Sequence, residues 1–272
     1  MAVTMAEISK LRTMTGAGMM DCKNALAEAN GDFDKSIEII RKRGQAIAAK
    51  RSDREAAEGC VLAGAKGDFA AIVALRCETD FVAKNADFVA LTQSILDAAL
   101  SQKPATIEAL NALTVDGRMI SELIAERSGI TGEKMELGYY ETVNAPTTVA
   151  YIHPGNKLAT IVAFAEANVD AQVARDVAMQ AAAMNPVSLD RSSVPADVIE
   201  KELEIGREKA REEGKPEEML DKIAQGRLNK FYQESTLLEQ AFIKDSKMTV
   251  AQYLKTNNAT AVAFKRVTLN QD

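Results

Sequence analysis

The sequence of 272 residues contains no tryptophan, only three cysteines and a single histidine, His153. The cysteines, Cys22, Cys60 and Cys77, are odd in number and widely spaced, which fits neither a disulfide framework nor a zinc site. We interpret them as small buried hydrophobic residues in a reducing compartment. A catalytic cysteine is the weaker interpretation, because His153 is the only histidine that could serve as its base.

Long hydrophobic runs and an excess of positive charge are also missing. No run approaches the roughly 18 to 20 residues of a membrane helix, and the N-terminus lacks the charged start and apolar stretch of a signal peptide. The 39 acidic residues outnumber the 33 basic ones, whereas general nucleic-acid binders need clustered lysine and arginine. The sequence therefore predicts a soluble cytoplasmic protein without direct membrane or nucleic-acid contacts.

Recognisable catalytic, cofactor and metal-binding motifs are absent from the sequence as well. The glycines of Gly16-Ala17-Gly18 are neither preceded by a strand pattern nor followed by Gly-Lys-Ser or Gly-Lys-Thr, so they do not predict a phosphate-binding loop. The carboxylates fall on predicted solvent faces of helices, where charge is expected without an acid-base role. We predict no cofactor, no metal site and no enzymatic chemistry, and we expect a protein that docks on another protein.

The sequence begins with three short helical patterns, which predict a compact bundle. Thr4 and Glu7 have the spacing of a capping box at the start of the first helix, and Asn30-Gly31 ends the second. The third helix covers about 33–43. The stretch 41–54 carries six basic residues and one acidic residue, and we interpret it as a linker or a helical arm. Solubility and a contact with an acidic partner explain its charge equally well.

Strand patterns follow, and they occur twice in the same order. A hairpin with its turn at Lys66-Gly67-Asp68 precedes a helix over about 86–100. A second hairpin with its turn at Pro154-Gly155-Asn156 precedes a helix over about 170–184. Two such copies predict a core of two related subdomains, each with a sheet packed on a helix.

Two strongly charged helical patterns, 197–213 and 216–231, come next and are separated by Gly214-Lys215-Pro216. Their narrow apolar stripe predicts an antiparallel coiled coil that projects into solvent. A helix over 249–256 and a strand over 261–269 follow, so that the predicted fold class is α+β.

The segment Thr79-Asp80-Phe81-Val82 stands out at the end of a predicted strand. Thr79 or Asp80 can cap a short helix, which places Phe81 in the first turn, where a large side chain can project outward. The ordinary interpretation is that Phe81 packs in the core, and the residue pattern alone does not decide between the two.

Three stretches of the chain carry a resemblance to a known family. They read Leu11-Arg12-x-x-Thr15-Gly16-Ala17-Gly18-Met19-Met20-Asp21-Cys22-Lys23-Asn24-Ala25-Leu26 with Asn30-Gly31-Asp32 after it, Thr79-Asp80-Phe81-Val82-Ala83-Lys84-Asn85, and Gly226-Arg227-x-x-Lys230-Phe231. In these motifs, and over essentially its whole length, the chain resembles the elongation factor Ts family. Two long motifs in the expected order argue against a chance match.

The resemblance implies a fold and an activity. The fold is a bundle similar to ubiquitin-associated domains over 1–45, a basic linker over 46–57, and an α+β core with subdomains 58–140 and 141–272, the second carrying a coiled-coil hairpin at about 197–231. The activity is guanine nucleotide exchange on elongation factor Tu in translation elongation, in which Mg²⁺ and GDP are displaced and GTP rebinds. The resemblance implies no nucleotide and no cofactor on the chain itself, and it leaves self-association open.

The resemblance also implies which residues meet elongation factor Tu. The tip around Asp80 and Phe81 would wedge between helices of the GTPase domain and dislodge Mg²⁺, while other contacts hold it there. The implied residues are Thr79, Asp80, Phe81 and Val82 in the wedge, and Arg12, Met19, Met20, Lys23, His153, Gly155 and Lys157 in the docking contacts. Longer family members continue into a C-terminal helical module, whereas this chain stops at Asp272, so we expect one contact patch to be missing.

A helical adaptor is an alternative from another functional class. It would bind proteins through its bundle and self-associate through its coiled coil, without any effect on a nucleotide. An adaptor should tolerate Phe81→Ala, whereas an exchange factor should lose activity while staying folded. An enzyme is the most distant alternative, and replacement of all three cysteines without loss would leave it almost no candidate residues.

Overall fold

The computed structural model describes residues 3–270, and in this part of the chain helices and strands mix in an α+β arrangement, as the sequence predicts. Contacts within the chain divide it into two compact units. The first contains the residues up to Leu62, the stretch Val73–Tyr140 and the residues from Leu269. The second contains Ala63–Ile72 and Glu141–Thr268.

The first unit begins with three helices, α1 (Met5–Thr15), α2 (Met19–Glu28) and α3 (Phe33–Lys50). The predicted capping box is present, because the Glu7 N–H donates to the Thr4 hydroxyl and the Thr4 N–H donates to the Glu7 carboxylate. The three predicted helices are present, whereas the likeness of this region to ubiquitin-associated domains stays a prediction. The core of this region consists of Ile8, Leu11, Ala17, Cys22, Ala25, Leu26 and Ile40.

Helix α3 continues to Lys50 instead of ending near Arg43. Its last turns pack on helix α7 (Ile120–Thr131), at a point where Gly44 and Gly129 meet. The backbones are so close that a Cβ added to Gly129 would lie 2.1 Å from the Gly44 Cα. The first part of the basic stretch is therefore helical, and its packing on α7 within the same unit explains why α3 extends beyond Arg43.

Sequence patterns left residues 103–144 unassigned, and the structure contains several elements there. The signals are local, since Thr106 caps a helix and the turn Asp116-Gly117, with both residues at positive φ, joins two short strands. The remaining helices and short strands of the first unit are α4 (Asp80–Ala83), α5 (Ala86–Gln102), α6 (Ile107–Asn111), β3 (Thr114–Val115) and β4 (Arg118–Met119).

Two three-stranded sheets have the same strand order, in which the second strand of a hairpin is central and a later strand joins it. The first sheet has the order β1-β2-β5 and the second the order β10-β7-β6. Both predicted hairpins, each followed by a helix, are confirmed. The strands are β1 (Glu58–Lys66), β2 (Phe69–Cys77), β5 (Glu136–Asn144), β6 (Thr147–Ile152), β7 (Leu158–Phe164) and β10 (Ala261–Thr268).

In the second unit, helix α8 (Ala171–Met184) packs on strands β6 and β7, and β7 is buried along its whole length. Val149 pairs with Val162 in the antiparallel register of these two strands. The apolar core between sheet and helix includes Phe164, Val177 and Leu237. Short elements complete this core, namely β8 (Ala241–Phe242), β9 (Asp245–Thr249) and α11 (Val250–Thr256).

The two charged patterns form packed helices, α9 (Ala196–Glu212) and α10 (Leu220–Ser235). The second helix begins at Leu220 instead of Pro216, because a short 3-10 turn comes first. An ion pair of 2.7 Å between Arg207 and Asp221 joins the two arms. The coiled-coil description stays a prediction.

Within residues 3–270, no helix combines the length and the apolar character needed to cross a membrane.

Candidate functional site

Phe81 is the most exposed large hydrophobic side chain among the residues that the structure describes, with 84% of its surface accessible. It lies in α4, a single helical turn that follows the end of strand β2. Ala83, two positions along and therefore about 200° around the helix axis, is buried. Phe81 consequently faces away from the core, and of the two interpretations left open by the sequence the projecting one is correct.

Hydrogen bonds hold the turn that carries Phe81 at both ends. Thr79 has extended backbone angles, and its hydroxyl accepts the Val82 N–H at 3.4 Å, which confirms Thr79 as the helix cap. At the other end the Asn85 N–H donates to the Val82 carbonyl, and the Asn85 side chain caps α5 by accepting the Asp87 N–H at 2.9 Å. The predicted wedge residues therefore form one short, anchored turn.

Two carboxylates, Glu78 and Glu133, fix the residues that lead into this turn. The Glu133 carboxylate binds the backbone of residues 78–79, and the Glu78 carboxylate binds the backbone of residue 134. The Glu133 carboxylate accepts the backbone N–H of Glu78 at 3.1 Å, the N–H of Thr79 at 3.0 Å and the Thr79 hydroxyl at 2.5 Å. The Glu78 carboxylate accepts the Lys134 N–H at 2.6 Å. We call Glu78, Thr79, Glu133 and Lys134 the carboxylate clamp.

Charge around the tip favours ionised carboxylates. The Lys84 ammonium donates to Asp80 at 2.7 Å, and this hydrogen bond lowers the pKa of Asp80. The Lys134 N–H lowers the pKa of Glu78, with help from the Arg54 guanidinium, which lies 3.0 Å from the same carboxylate. Asp80 is thus a charged, partly exposed group beside the projecting Phe81 ring.

Cys77, the last residue of β2, is a buried group without nucleophilic character. Burial raises its pKa to about 12, and its thiol donates to the Thr79 carbonyl at 3.2 Å. Cys22 and Cys60 are buried as well, as the sequence predicts for small hydrophobic residues.

The predicted docking residues of the bundle lie on its surface. Met19 and Met20, in the first turn of α2, are 45% and 63% exposed, and Lys23 is exposed one turn later on the same helix. Arg12 is exposed in the last turn of α1. Two methionines with flexible thioether side chains suit an adaptable contact with a protein.

The predicted docking residues of the second unit surround the turn between β6 and β7. His153 and Gly155 are exposed and Lys157 is half-buried. The His153 N–H donates to the Leu158 carbonyl at 2.8 Å, and the Tyr151 hydroxyl lies 3.1 Å from His153 Nδ1. Desolvation lowers the pKa of Lys157. The structure groups these three residues in one turn of the second unit, while the other predicted residues belong to the first.

Glu133 was not among the residues predicted from sequence. It lies in the unassigned segment directly after Gly132, which ends α7 at a φ of 73°. A helix-ending glycine marks a loop, but it does not tell which strand end the next side chain will meet.

Comparison with known proteins gives a consistent result. Residues 78–271 match the family model described as elongation factor TS. The chain is 62% identical to elongation factor Ts of Porphyromonas gingivalis over 275 residues and 59% identical to that of Azobacteroides pseudotrichonymphae over 274 residues, with full coverage of both chains in each case. It is 55% identical to elongation factor Ts of Amoebophilus asiaticus over 273 residues, covering 98% of this chain and 99% of the relative.

Proposed function

Since the chain belongs to the elongation factor Ts family, we propose that it acts in translation elongation as the guanine nucleotide exchange factor of elongation factor Tu. It binds elongation factor Tu carrying GDP, displaces Mg²⁺ and GDP, and allows GTP to bind. No covalent bond is made or broken, so the protein is not an enzyme in the usual sense. It works in the cytoplasm and contacts neither membrane nor nucleic acid directly.

The observation that carries the proposal is the exposed Phe81 on its anchored turn. A single exposed hydrophobic residue is common on protein surfaces and needs no explanation by itself. Here, however, the side chain is 84% exposed, it is aromatic, and the backbone beneath it is fixed by a cap and by the carboxylate clamp. A rigid aromatic projection supports insertion into a partner, because little ordering free energy is lost on binding.

In the proposed mechanism Phe81 enters between helices of the GTPase domain, with Asp80 beside it. Burial of a phenylalanine side chain contributes about 1.5 to 3 kcal/mol. Each 1.4 kcal/mol of coupling weakens nucleotide binding about tenfold, so Phe81 alone accounts for part of the exchange effect. Exposed bundle residues such as Met19 and Met20, and the turn at His153 in the second unit, supply the remaining docking contacts.

Reciprocal coupling makes such a protein a catalyst of exchange. An exchange protein that lowers the affinity of the GTPase for nucleotide must itself bind the GTPase less tightly when nucleotide is present. The two affinities change by the same ratio. Incoming GTP therefore releases the factor from elongation factor Tu, and one molecule of the factor serves many molecules of the GTPase.

The reciprocity also provides a test. The chain and elongation factor Tu from the same organism should co-elute in gel filtration when nucleotide is removed with a chelator and a phosphatase. Excess GDP with Mg²⁺ should dissociate this complex. An adaptor would bind regardless of GDP, so a complex that GDP leaves intact would refute the exchange function in favour of the adaptor, and absence of a complex would refute both for this partner.

A further inference from the structure

Glu133 accepts three hydrogen bonds from the two residues that lead into the turn carrying Phe81. The donors are the Glu78 N–H at 3.1 Å, the Thr79 N–H at 3.0 Å and the Thr79 hydroxyl at 2.5 Å. Hydrogen bonds to a carboxylate are stronger than those between neutral groups. One side chain thus fixes both the backbone and the side chain of the residue that caps α4.

The Thr79 hydroxyl transmits this constraint to the wedge. A hydroxyl has one proton, and in Thr79 that proton points to Glu133, so its lone pairs are free to accept the Val82 N–H at 3.4 Å. The hydrogen bonds run from the Val82 N–H through the Thr79 hydroxyl to the Glu133 carboxylate. Val82 directly follows Phe81, so the carboxylate determines the orientation of the turn without touching the Phe81 ring.

Glu133 is itself held in place at the end of α7. The Ser128 hydroxyl donates to the Glu133 carbonyl, and the Glu133 N–H donates to the Thr131 hydroxyl at 3.3 Å. The neighbouring Lys134 N–H completes the clamp on Glu78. The support beneath the wedge is therefore a packed helix end rather than a free loop.

We propose that Glu133 is a positioning residue for the exchange reaction, which holds the α4 turn so that Phe81 is presented ready to insert. This inference rests on the proposed function and adds to it a residue that acts through the α4 turn. Without the carboxylate, the turn samples other orientations and only a fraction of molecules present Phe81 correctly. The docking contacts are unchanged, so the protein still binds but completes the displacement of GDP less often.

The test is stimulated release of a fluorescent GDP analogue from elongation factor Tu, measured over a range of concentrations for the full-length chain and its variants. Glu133→Ala should lower the maximal release rate about tenfold or more, as expected for loss of hydrogen bonds to a charged acceptor. The half-saturating concentration should change by less than about threefold, because docking is retained. A matched control, Glu239→Ala, removes a carboxylate that pairs with Arg191 in the second unit, and it should leave release unchanged.

Two further variants separate positioning from a general loss of stability. Glu133→Gln should recover part of the rate, because the amide oxygen can accept both N–H groups while the amide nitrogen donates to the Thr79 hydroxyl. Glu133→Ala added to Phe81→Ala should cause no further loss, because the carboxylate acts through Phe81. Amide hydrogen exchange should show lost protection at Glu78, Thr79 and Val82 in the folded Glu133→Ala protein.

Several results would overturn the inference. One is a wild-type maximal release rate in Glu133→Ala. Another is that Glu133→Ala lowers the release rate by the same ratio in the wild-type protein and in Phe81→Ala. The third is unchanged hydrogen-exchange protection of the amides of Glu78, Thr79 and Val82 in Glu133→Ala. If Glu133→Ala does not fold, Glu133→Leu, which keeps most of the side-chain volume but has no acceptor oxygen, is judged by the same rates, and a folded Leu variant with wild-type rate and protection would also overturn the inference. If the wild-type chain does not accelerate release of the GDP analogue from elongation factor Tu, the proposed nucleotide exchange function is refuted. Amide hydrogen exchange then still decides whether Glu133 holds the turn.

Discussion

Replacement of Phe81 by alanine should separate function from folding more cleanly than any other change in this chain. Because 84% of the side chain is already in water, truncation should alter the free energy of unfolding by no more than about 0.5 kcal/mol. The same truncation removes about 1.5 to 3 kcal/mol of burial in the complex. Stimulated GDP release should therefore fall by a factor of about 10 to 150.

The chain provides a matched control of opposite character. Phe88 is fully buried in α5, so Phe88→Ala should lower the free energy of unfolding by about 3 to 5 kcal/mol. A second control is Ile243→Ala, which truncates another exposed hydrophobic residue, 44% accessible, in the second unit. It should leave GDP release unchanged and lower stability much less than Phe88→Ala does.

The assay combines thermal or urea unfolding with stopped-flow release of a fluorescent GDP analogue. Two results would refute the reasoning about Phe81. One is a folded Phe81→Ala protein that releases GDP as fast as the wild type, and the other is a loss of release that simply follows a loss of stability. The second result would mean that Phe81 is part of the packed structure rather than a contact for the partner.

Three other predictions follow from the same geometry. Gly129→Ala places a Cβ 2.1 Å from the Gly44 Cα, so it should force α3 and α7 apart. The unfolding midpoint and the rate of GDP release should fall together, and an unchanged midpoint would contradict the close approach of the two helices. Folding lowers the pKa of Glu78 from its ordinary value of 4.5 and the pKa of Asp80 from 3.8. These carboxylates therefore stabilise the fold at any pH above the ordinary values, and the stabilisation is lost as the pH falls through the lowered pKa values. Circular dichroism should show constant stability from about pH 6 to 8 and a decrease below about pH 4.5, and a decrease already near pH 6 would point to other groups. Because Cys77 is buried with a pKa of about 12, iodoacetamide at about pH 8 should label the native protein slowly and leave exchange unchanged, while rapid inactivation would revive a role for a thiol.

Features with local causes could be predicted from the sequence. Thr4 and Glu7 form a capping box because both partners lie within one turn, and the Thr79 cap follows from a strand end next to a helical turn. The two hairpins were also predictable, since alternating patterns flank short turns. The resemblance of the family motifs then implied the proposed wedge residues, which no local rule assigns to a partner.

Features that depend on distant residues could not be predicted in this way. Residue patterns left the exposure of Phe81 undecided, because exposure depends on how the buried Ala83 packs against the rest of the unit. The hydrogen bond from Thr79 to Glu133 joins residues 54 positions apart, and no periodic pattern links them. The extension of α3 has the same cause, because Gly44 matters only where α7 approaches it.

The most direct measurement is the release of a fluorescent GDP analogue from a large excess of elongation factor Tu, with unlabelled GDP in excess over the analogue and this chain present at about one hundredth of the concentration of elongation factor Tu. We predict that all of the bound analogue is released rapidly, since each molecule of the chain turns over many times. Release limited to the amount of added chain, or release at the unstimulated rate, would contradict the account of this protein as an exchange factor.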